Sequence, residues 1–289
     1  MKDKVKIELG GKEREINIKK EGGVTFLELP IKVKISEDSF LHIGAAPSPL
    51  TEKKGSVFKV DRNPVIPASS FKGALRHQIE ILFIEKSDEF TNQFDIPDNY
   101  KDILRPCIPA PRPTKAEKEL INAGKYRSNC EIKVDENGIN IDDELGICPT
   151  CYFMGATGIM GFLRINNFYP EGEGRLIDQT NIRIDRKTIT AAHGAKIDGE
   201  QVKPGTVFKG NVNVIISDPT LELQKIKFGD ARIIGNIIID KWLHFWKERD
   251  SNKKAKFLIE NVLINAILNI KVLGGQKSKG AGKITIEIM

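Results

Sequence analysis

Apolar and polar residues alternate along the first 35 positions of the chain, and this period of two predicts β-strands. A first strand runs from Val5 to Leu9 and ends at a Gly10-Gly11 turn. A second includes Ile16 to Ile18, and a third extends from Val24 to Ile35. The N-terminal segment is therefore predicted to supply strands to a sheet.

The period changes after Pro67 and predicts a helix with one buried stripe. The apolar positions of that stripe are Phe71, Leu75, Ile79 and Phe83. Ser69 or Ser70 is suited to cap the helix, and Lys72 and Arg76 share another stripe near its start. Hydroxyls and cations at a helix N-terminus favour an anion site, although an ordinary capped helix with solvated basic residues has the same pattern.

Later segments predict further strands and two helices. The strands cover Ile159–Phe168, Val207–Ile216 and Lys283–Met289, and the helices cover Asp230–Arg249 and Ala255–Val272. Asn181 to Pro204 is polar, basic and glycine-containing, which predicts a projecting hairpin or loop. Strands and helices in this order indicate an α+β protein.

Residues 87–146 break the globular pattern and are interpreted as an insertion. Charged residues dominate there, and six of the 14 prolines lie between Pro97 and Pro149. A segment of this size has too small a core to be stable without a cross-link or a metal ion.

The four cysteines of the chain all lie in or beside this insertion: Cys107, Cys130, Cys148 and Cys151. The Cys148-Pro149-Thr150-Cys151 knuckle presents two thiolates to one ion, and four sulfurs match a closed structural zinc site. The spacing of the first two is long and irregular, so ordinary burial of Cys107 and Cys130 is the alternative.

Charge and length exclude some classes of protein. The 289 residues carry 45 Lys+Arg and 39 Asp+Glu, a net charge of +6, which matters only if the basic residues cluster. No apolar run approaches the ~18 residues of a membrane span. The first residues lack the apolar core of a signal peptide, so we expect a cytoplasmic protein with no membrane partner.

A glycine-rich loop, Gly274 to Gly282, joins the last predicted helix to the last strand. Its glycines allow close backbone approach and its lysines neutralise phosphates, which favours a polyanion; a flexible surface turn is the alternative. Ile284 follows Gly282-Lys283, so the loop is not a nucleotide P-loop. The histidines are scattered, and only His42, at a strand end beside small residues, is a candidate for more than a structural role.

Five motifs follow one another in an order that points to a known family. They are Leu41-His42-Ile43-Gly44, Ile66-Pro67-x-Ser69-Ser70-Phe71-Lys72-Gly73-x-Leu75-Arg76, Cys148-x-x-Cys151 with Phe153-Met154-Gly155, Ile184 to Ala191, and Gly274-Gly275-x-x-Ser278-Lys279-Gly280-x-Gly282-Lys283. In this combination the sequence resembles the RAMP superfamily of CRISPR-associated proteins, most closely the backbone subunit of type III interference complexes. The insertion and the stretch from Asp218 to Asn269 match less well.

The resemblance implies a ferredoxin-like core with an antiparallel sheet, related to RNA-recognition modules. Residues 1–86 and 152–289 would form that core, with a thumb hairpin at about 181–204 and a zinc-stabilised lid at 87–151. The implied partners are guide RNA, target RNA, other CRISPR-associated subunits and further copies of the chain, stacked along the guide in antiviral defence.

The resemblance also implies which residues line the guide groove. They belong to the helix start, the terminal loop and the strand end beside them: Ser69, Ser70, Lys72, Arg76, Gly274, Gly275, Lys277, Lys279, Gly280 and His42. Arg186 and Lys187, at the base of the thumb, are implied as further contacts.

One position departs from the cleaving members of the family, which have an aspartate before the strand leading to Ile66. An ungapped alignment places Lys54 or Gly55 there, and neither side chain binds a metal or acts as a base. Glu52 or Asp61 could replace it only if the loop is threaded differently. We therefore expect RNA binding without cutting; an endoribonuclease, or a zinc-stabilised structural protein that binds an acidic partner, is the alternative.

Overall fold

The computed structural model describes residues 4–9, 11–44, 55–135, 138–140, 145–219 and 226–289. The strands are β1 Lys4–Leu9, β2 Lys12–Glu21, β3 Val24–Ile35, β4 Lys59–Val60, β5 Asn63–Pro64, β6 Lys133–Asp135, β7 Gly138–Asn140, β8 Leu163–Ile165, β9 Tyr169–Pro170, β10 Leu176–Ile184, β11 Ala191–Val202, β12 Val207–Asp218, β13 Ile226–Lys227, β14 Ile233–Ile234, β15 Ile237–Ile238 and β16 Ile284–Ile288. The α-helices are α1 Ala68–Glu85, α2 Ser87–Gln93, α3 Lys115–Asn122, α4 Pro149–Met154, α5 Lys241–Phe245, α6 Ser251–Phe257 and α7 Asn265–Leu268. Single 3₁₀ segments cover Asp98–Leu104 and Lys277–Lys279, and a π-helical segment, Leu258–Ile264, joins α6 to α7.

The protein is a mixed α+β chain with a large antiparallel sheet, which confirms the predicted class. The sheet has the strand order β1-β2-β3-β12-β13. In addition, β16 pairs with β3, and both β8 and β9 pair with β12. Among the described residues, no helix has the length and apolar content needed to span a lipid bilayer.

The chain is divided into two compact units. The first consists of Met1–Leu29, Leu75–Arg164 and Asn213–Ile267, and the second of Pro30–Ala74, Ile165–Val212 and Leu268–Met289. Strands β3 and β12 and helix α1 contribute residues to both.

The first unit combines a three-strand meander with most of the helices. The register pairs Val5 with Ile16 and Ile18 with Leu27, so the strands alternate as the sequence predicts. Aromatic residues from α2, α5 and α6 pack together; the ring centroids of Phe94 and Trp242 are 5.1 Å apart. Part of the predicted lid therefore shares its apolar core with the later helices.

In the second unit, the C-terminal half of β3 pairs with the last strand, from Ile31↔Ile288 to Ile35↔Ile284. The rings of Phe71 and Phe168 lie 4.5 Å apart and anchor the start of α1. All four residues of the predicted apolar stripe of α1 are at most 1% exposed. The period of four thus identifies the helix and its buried side correctly.

The predicted helix over Asp230–Arg249 is wrong. Gly229 and Gly235 both have positive φ values, and a two-strand ladder, β14 with β15, occupies the first half of the segment. Only the five residues of α5 are helical there. The other predicted helix, Ala255–Val272, is confirmed in position by the continuous turns from Ser251 to Leu268.

The predicted projecting segment is a β-hairpin, which we call the thumb hairpin, formed by β10 and β11. It begins at Leu176, five residues before the predicted start. The hydrogen bond from Asp185 N to Thr190 O (2.8 Å) closes its turn. Arg186 and Lys187 lie in this turn, at the tip of the hairpin rather than at its base as predicted. The ferredoxin-like topology and the lid boundaries remain predictions.

Candidate functional site

The four cysteines converge in the first unit. All four sulfur atoms lie within 4.8 Å of one another, and all four residues are buried. The cysteines are up to 44 residues apart in sequence, and local structures bring them together. Cys107 pairs with Arg127 in a short parallel β-bridge, and Cys130 lies three residues after Arg127. Cys148 and Cys151 lie at the start of helix α4. The prediction that all four cysteines form one cluster is confirmed.

The start of α4 positions the knuckle. Cys148 is the N-cap residue, and Pro149 lies in the first helical turn. The Cys148 sulfur accepts a hydrogen bond from the Cys151 N–H at 3.4 Å. The Cys130 sulfur accepts the Cys148 N–H at the same distance. Proline suits the first turn because its missing N–H would have no partner there. Backbone donors therefore point at two of the sulfurs.

The donor set fits a zinc ion. At a Zn–S distance of about 2.3 Å, tetrahedral geometry places sulfurs about 3.8 Å apart. The Cys107 and Cys151 sulfurs are 3.3 Å apart, and the whole set stays within 4.8 Å, so small side-chain shifts suffice. Isoleucines surround the cluster: Ile132, Ile147, Ile159 and Ile239. Four thiolates in an apolar shell match a closed structural site.

Two arginines contact the sulfurs. Arg76 Nη2 lies 3.5 Å from the Cys107 sulfur and 3.6 Å from the Cys151 sulfur, and Arg127 Nη2 lies 2.9 Å from the Cys130 sulfur. Hydrogen bonds from the other three cysteines, with a further contribution from the charge of Arg127, lower the pKa of Cys130. Sequence reasoning missed Arg127, whose only signal is its position three residues before Cys130.

A second candidate site lies in the other unit, where the glycine-rich loop is hydrogen-bonded to residues 39–42, in the segment that follows β3. Gly275 N–H donates to the His42 carbonyl (2.7 Å), and Gly282 N–H donates to the Phe40 carbonyl (2.6 Å). Ser39 Oγ donates to the Gly280 carbonyl (2.9 Å). The loop is therefore hydrogen-bonded to the preceding part of the unit at both of its ends.

Between these anchors the loop presents its lysines. Lys277–Lys279 form a single 3₁₀ turn, and Lys277, Ser278 and Lys279 are exposed. Gln276, at φ 57°, accepts a hydrogen bond from Gln201 Nε2 (3.0 Å) at the end of the thumb hairpin. Two lysine side chains and one serine side chain are thus exposed between the hydrogen-bonded ends of the loop.

His42 has a defined tautomer. Its Nδ1 lies 2.9 Å from the Glu200 carbonyl oxygen. A carbonyl only accepts, so Nδ1 carries the proton and Nε2 of the neutral ring is an acceptor. The half-buried ring packs beside Gly275, whose Cβ position would lie 3.7 Å from its Cδ2. His42, Gly274 and Gly275 are therefore brought together as predicted site residues.

The predicted serine cap of α1 is wrong. The helix begins at Ala68, so Ser69 and Ser70 lie inside its first turn. The Ala68 N–H donates instead to Asn167 Oδ1 at 2.8 Å, and this side chain takes the capping role. Ser69 is exposed and Lys72 is half-buried, so both stay candidates for a ligand at the helix start.

The remaining predicted residues lie elsewhere. Arg76 donates through Nε to Glu80 (2.8 Å) and faces the cysteines, as described above. Arg186 and Lys187 are exposed in the thumb turn, where Asp185 Oδ1 accepts the Lys187 N–H (2.7 Å).

The position of the family aspartate is described only in part. Lys54 and Glu52 lie outside the described residues. Gly55 is described, and its carbonyl accepts the Glu200 N–H at 2.9 Å. Asp61 occupies the turn between β4 and β5 with φ 48°.

A comparison with models of protein families gives a match. The family model described as RAMP superfamily matches residues 34–285, which is most of the chain and includes the glycine loop, the thumb hairpin and all four cysteines. No curated protein matches the chain.

Proposed function

Because the chain belongs to the RAMP superfamily, we propose that it is a CRISPR-associated RNA-binding protein, and specifically the guide-RNA-binding backbone subunit of a type III interference complex. The observation that carries the proposal is the geometry of the glycine loop. Hydrogen bonds to Phe40 and His42 anchor the loop, and Lys277 and Lys279 are exposed on it. It acts in the cytoplasm with other subunits and with copies of itself, in antiviral defence.

The loop binds the guide through its phosphates. Lysine ammonium groups neutralise phosphate charge, and the glycines let a sugar-phosphate strand approach the backbone closely. Nε2 of His42 is an acceptor suited to a ribose 2′-hydroxyl, the group that separates RNA from DNA. Ser69, Ser70 and Lys72 supply donors at the helix start. None of these contacts reads bases, so sequence recognition is left to pairing between guide and target RNA.

The subunit binds RNA without cutting it. Gly55 has no side chain to hold a metal ion, and its carbonyl is already engaged by Glu200. The competing function, a metal-dependent endoribonuclease that cuts target RNA or processes precursor RNA, needs a general base near the scissile phosphate. His42 is fixed beside the loop by the hydrogen bond of its Nδ1–H to the Glu200 carbonyl, and we assign its Nε2 to contact with ribose rather than to proton transfer.

The cysteine cluster holds a structural zinc ion, and the segment 87–151 that carries it serves as the lid of a ferredoxin-like core. The four buried sulfurs and their isoleucine shell support this assignment. The ion contributes folding free energy and takes no part in RNA chemistry.

The first experiment measures binding of single-stranded RNA against salt concentration for the wild type and for Lys277→Ala/Lys279→Ala. Each phosphate contact contributes about 0.7 to the log–log slope. We therefore expect the double variant to bind more weakly and to lower the slope by about 1.4. Labelled RNA incubated with Mg²⁺ or Mn²⁺ should stay intact.

The matched control is Lys253→Ala/Lys256→Ala, which removes the same charge from exposed positions of α6. It should leave the slope unchanged. Equal losses in both double variants would mean that net charge alone attracts RNA, and no RNA binding by the wild type would leave only a structural role with an acidic protein partner. Cleavage of the labelled RNA would favour the endoribonuclease.

A further inference from the structure

We propose that Arg76 and Arg127 are the charge-balancing residues of the cysteine site and that they hold its metal ion against release. The inference rests on the zinc site proposed above and concerns two side chains that no zinc-ligand pattern identifies. Both guanidinium groups contact ligand sulfurs directly, from two different elements of the first unit.

Arg127 is committed to the site. It is 8% exposed, and Nη2 donates to the Cys130 sulfur and to the Gly146 carbonyl. The Arg127 carbonyl also accepts the Ile108 N–H at 3.1 Å, which fixes the strand beside Cys107. A charge buried to this degree is stable only beside an opposite charge. Within the described part of the chain Arg127 forms no ion pair with a carboxylate, so the thiolates supply that charge.

Arg76 divides its charge between two partners. Nη2 contacts the sulfurs of Cys107 and Cys151, while Nε donates to the Glu80 carboxylate at 2.8 Å. Glu80 therefore competes with the metal site for the positive charge of Arg76.

Every sulfur accepts at least one hydrogen bond. The Cys107 and Cys151 sulfurs accept from Arg76, the Cys130 sulfur from Arg127 and the Cys148 N–H, and the Cys148 sulfur from the Cys151 N–H. Such donors stabilise thiolates over thiols and orient the ligands toward a shared ion. The shell is therefore built for four deprotonated sulfurs.

Charge counting shows what the two arginines contribute. Four thiolates and a zinc ion sum to −2, and the two guanidinium groups offset both negative charges. The Glu80 carboxylate, paired with Arg76, returns one of them. The arginines therefore reduce the net charge of the buried, loaded site, and a loaded site nearer to neutrality retains its ion more firmly.

The test compares Arg127→Met and Arg76→Met with Arg105→Met, a nearby arginine that pairs with Asp102 on the surface. Zinc content and the rate of zinc transfer to a chromophoric chelator are measured on the full chain. Loss of a residue that supports metal ligands typically costs 10–100-fold in affinity, so we expect release about 10–100-fold faster for Arg127→Met and a smaller effect for Arg76→Met. Arg105→Met should match the wild type.

Two further variants keep the test decisive if a methionine variant misfolds. Arg127→Lys retains the charge but loses the planar fork, and should give an intermediate rate. Glu80→Gln removes the competitor for Arg76, and should slow zinc release below the wild-type rate. A merely structural effect of these substitutions would not slow it.

Iron loading gives an electrostatic readout. The arginines favour the more negative ferrous site, so Arg127→Met should lower the one-electron reduction potential of the iron-substituted protein. Unchanged release rates and potential in zinc-binding variants would overturn the inference. A wild type that binds neither zinc nor Co²⁺ would instead overturn the metal site itself.

Discussion

Two glycines of the terminal loop share one backbone conformation but differ in their surroundings. Gly274 and Gly280 both have φ +79°. A Cβ at Gly274 would lie 2.4 Å from the His42 carbonyl oxygen, whereas nothing lies within 4 Å of the same atom at Gly280. The first glycine is needed for close approach as well as for its φ value, and the second only for its φ value.

Alanine substitutions should separate these two requirements. Gly280→Ala should lower the free energy of unfolding by about 1–2 kcal/mol, the cost of a left-handed L-residue. Gly274→Ala adds a backbone clash and should cost at least about 3 kcal/mol. Urea unfolding of both variants measures the difference, and equal costs would show that the loop does not depend on its contact with His42.

The roles of single residues were predicted well where they depend on the residue type. They were predicted poorly where they depend on the direction in which the side chain points. Four cysteines identify a metal cluster because few other uses suit them in such a segment. Arg76 shares a stripe with Lys72 in sequence, yet its side chain turns to the cysteines. The sequence does not distinguish an arginine buried against thiolates from a solvated one, so Arg127 gave no signal beyond its position three residues before Cys130.

At the scale of elements, a buried ion pair holds the segment that was wrongly predicted to be a helix. The side chains of Arg232 and Asp240 are 1% and 0% exposed, and Arg232 Nε lies 2.7 Å from Asp240 Oδ2. The Arg232 guanidinium also lies 5.1 Å from the centre of the Tyr152 ring. The pair ties the β14–β15 ladder and the start of α5 to helix α4.

Removal of one partner should be costly because it leaves a buried charge without compensation. We expect Asp240→Ala to lower the free energy of unfolding by about 3–5 kcal/mol. Arg232→Met/Asp240→Leu should recover part of this loss, since it removes both charges. The exposed pair Lys4–Glu15 is the control, and Glu15→Ala should barely move the urea midpoint. A small effect of Asp240→Ala would mean that water reaches Arg232.

Elements with a regular period were predicted, from the short β1 to the long α1, whereas the elements between Asp230 and Arg249 were not. Twelve alternating residues identify β3, and four apolar positions identify α1. Between Asp230 and Arg249, tertiary contacts decide the structure: two-residue strands and a five-residue helix are too short to show a period. The cap of α1 escaped for a related reason, because Asn167 is about a hundred positions away in sequence.

At the scale of the whole molecule, the family match extends over both compact units, and each unit contains one of the two candidate sites. The cysteine site lies in the first unit and the glycine loop in the second. The order of the five motifs along the chain predicted the family, because each motif is a short local segment that can be identified without knowledge of the tertiary structure. Which residues lie together inside each unit depended on packing that the motifs do not encode.

A backbone subunit should add copies to a longer guide, and this is the property that most separates it from a processing enzyme. The proposed contact of the loop is with a repeating phosphate chain, so each copy should cover a fixed length of RNA and leave the rest for the next copy. We expect the number of bound protein molecules to rise in steps with the length of single-stranded RNA, as measured by native mass spectrometry or sedimentation. The Lys277→Ala/Lys279→Ala variant should lose every step together. One copy bound at every length would rule out the backbone role while leaving RNA binding intact.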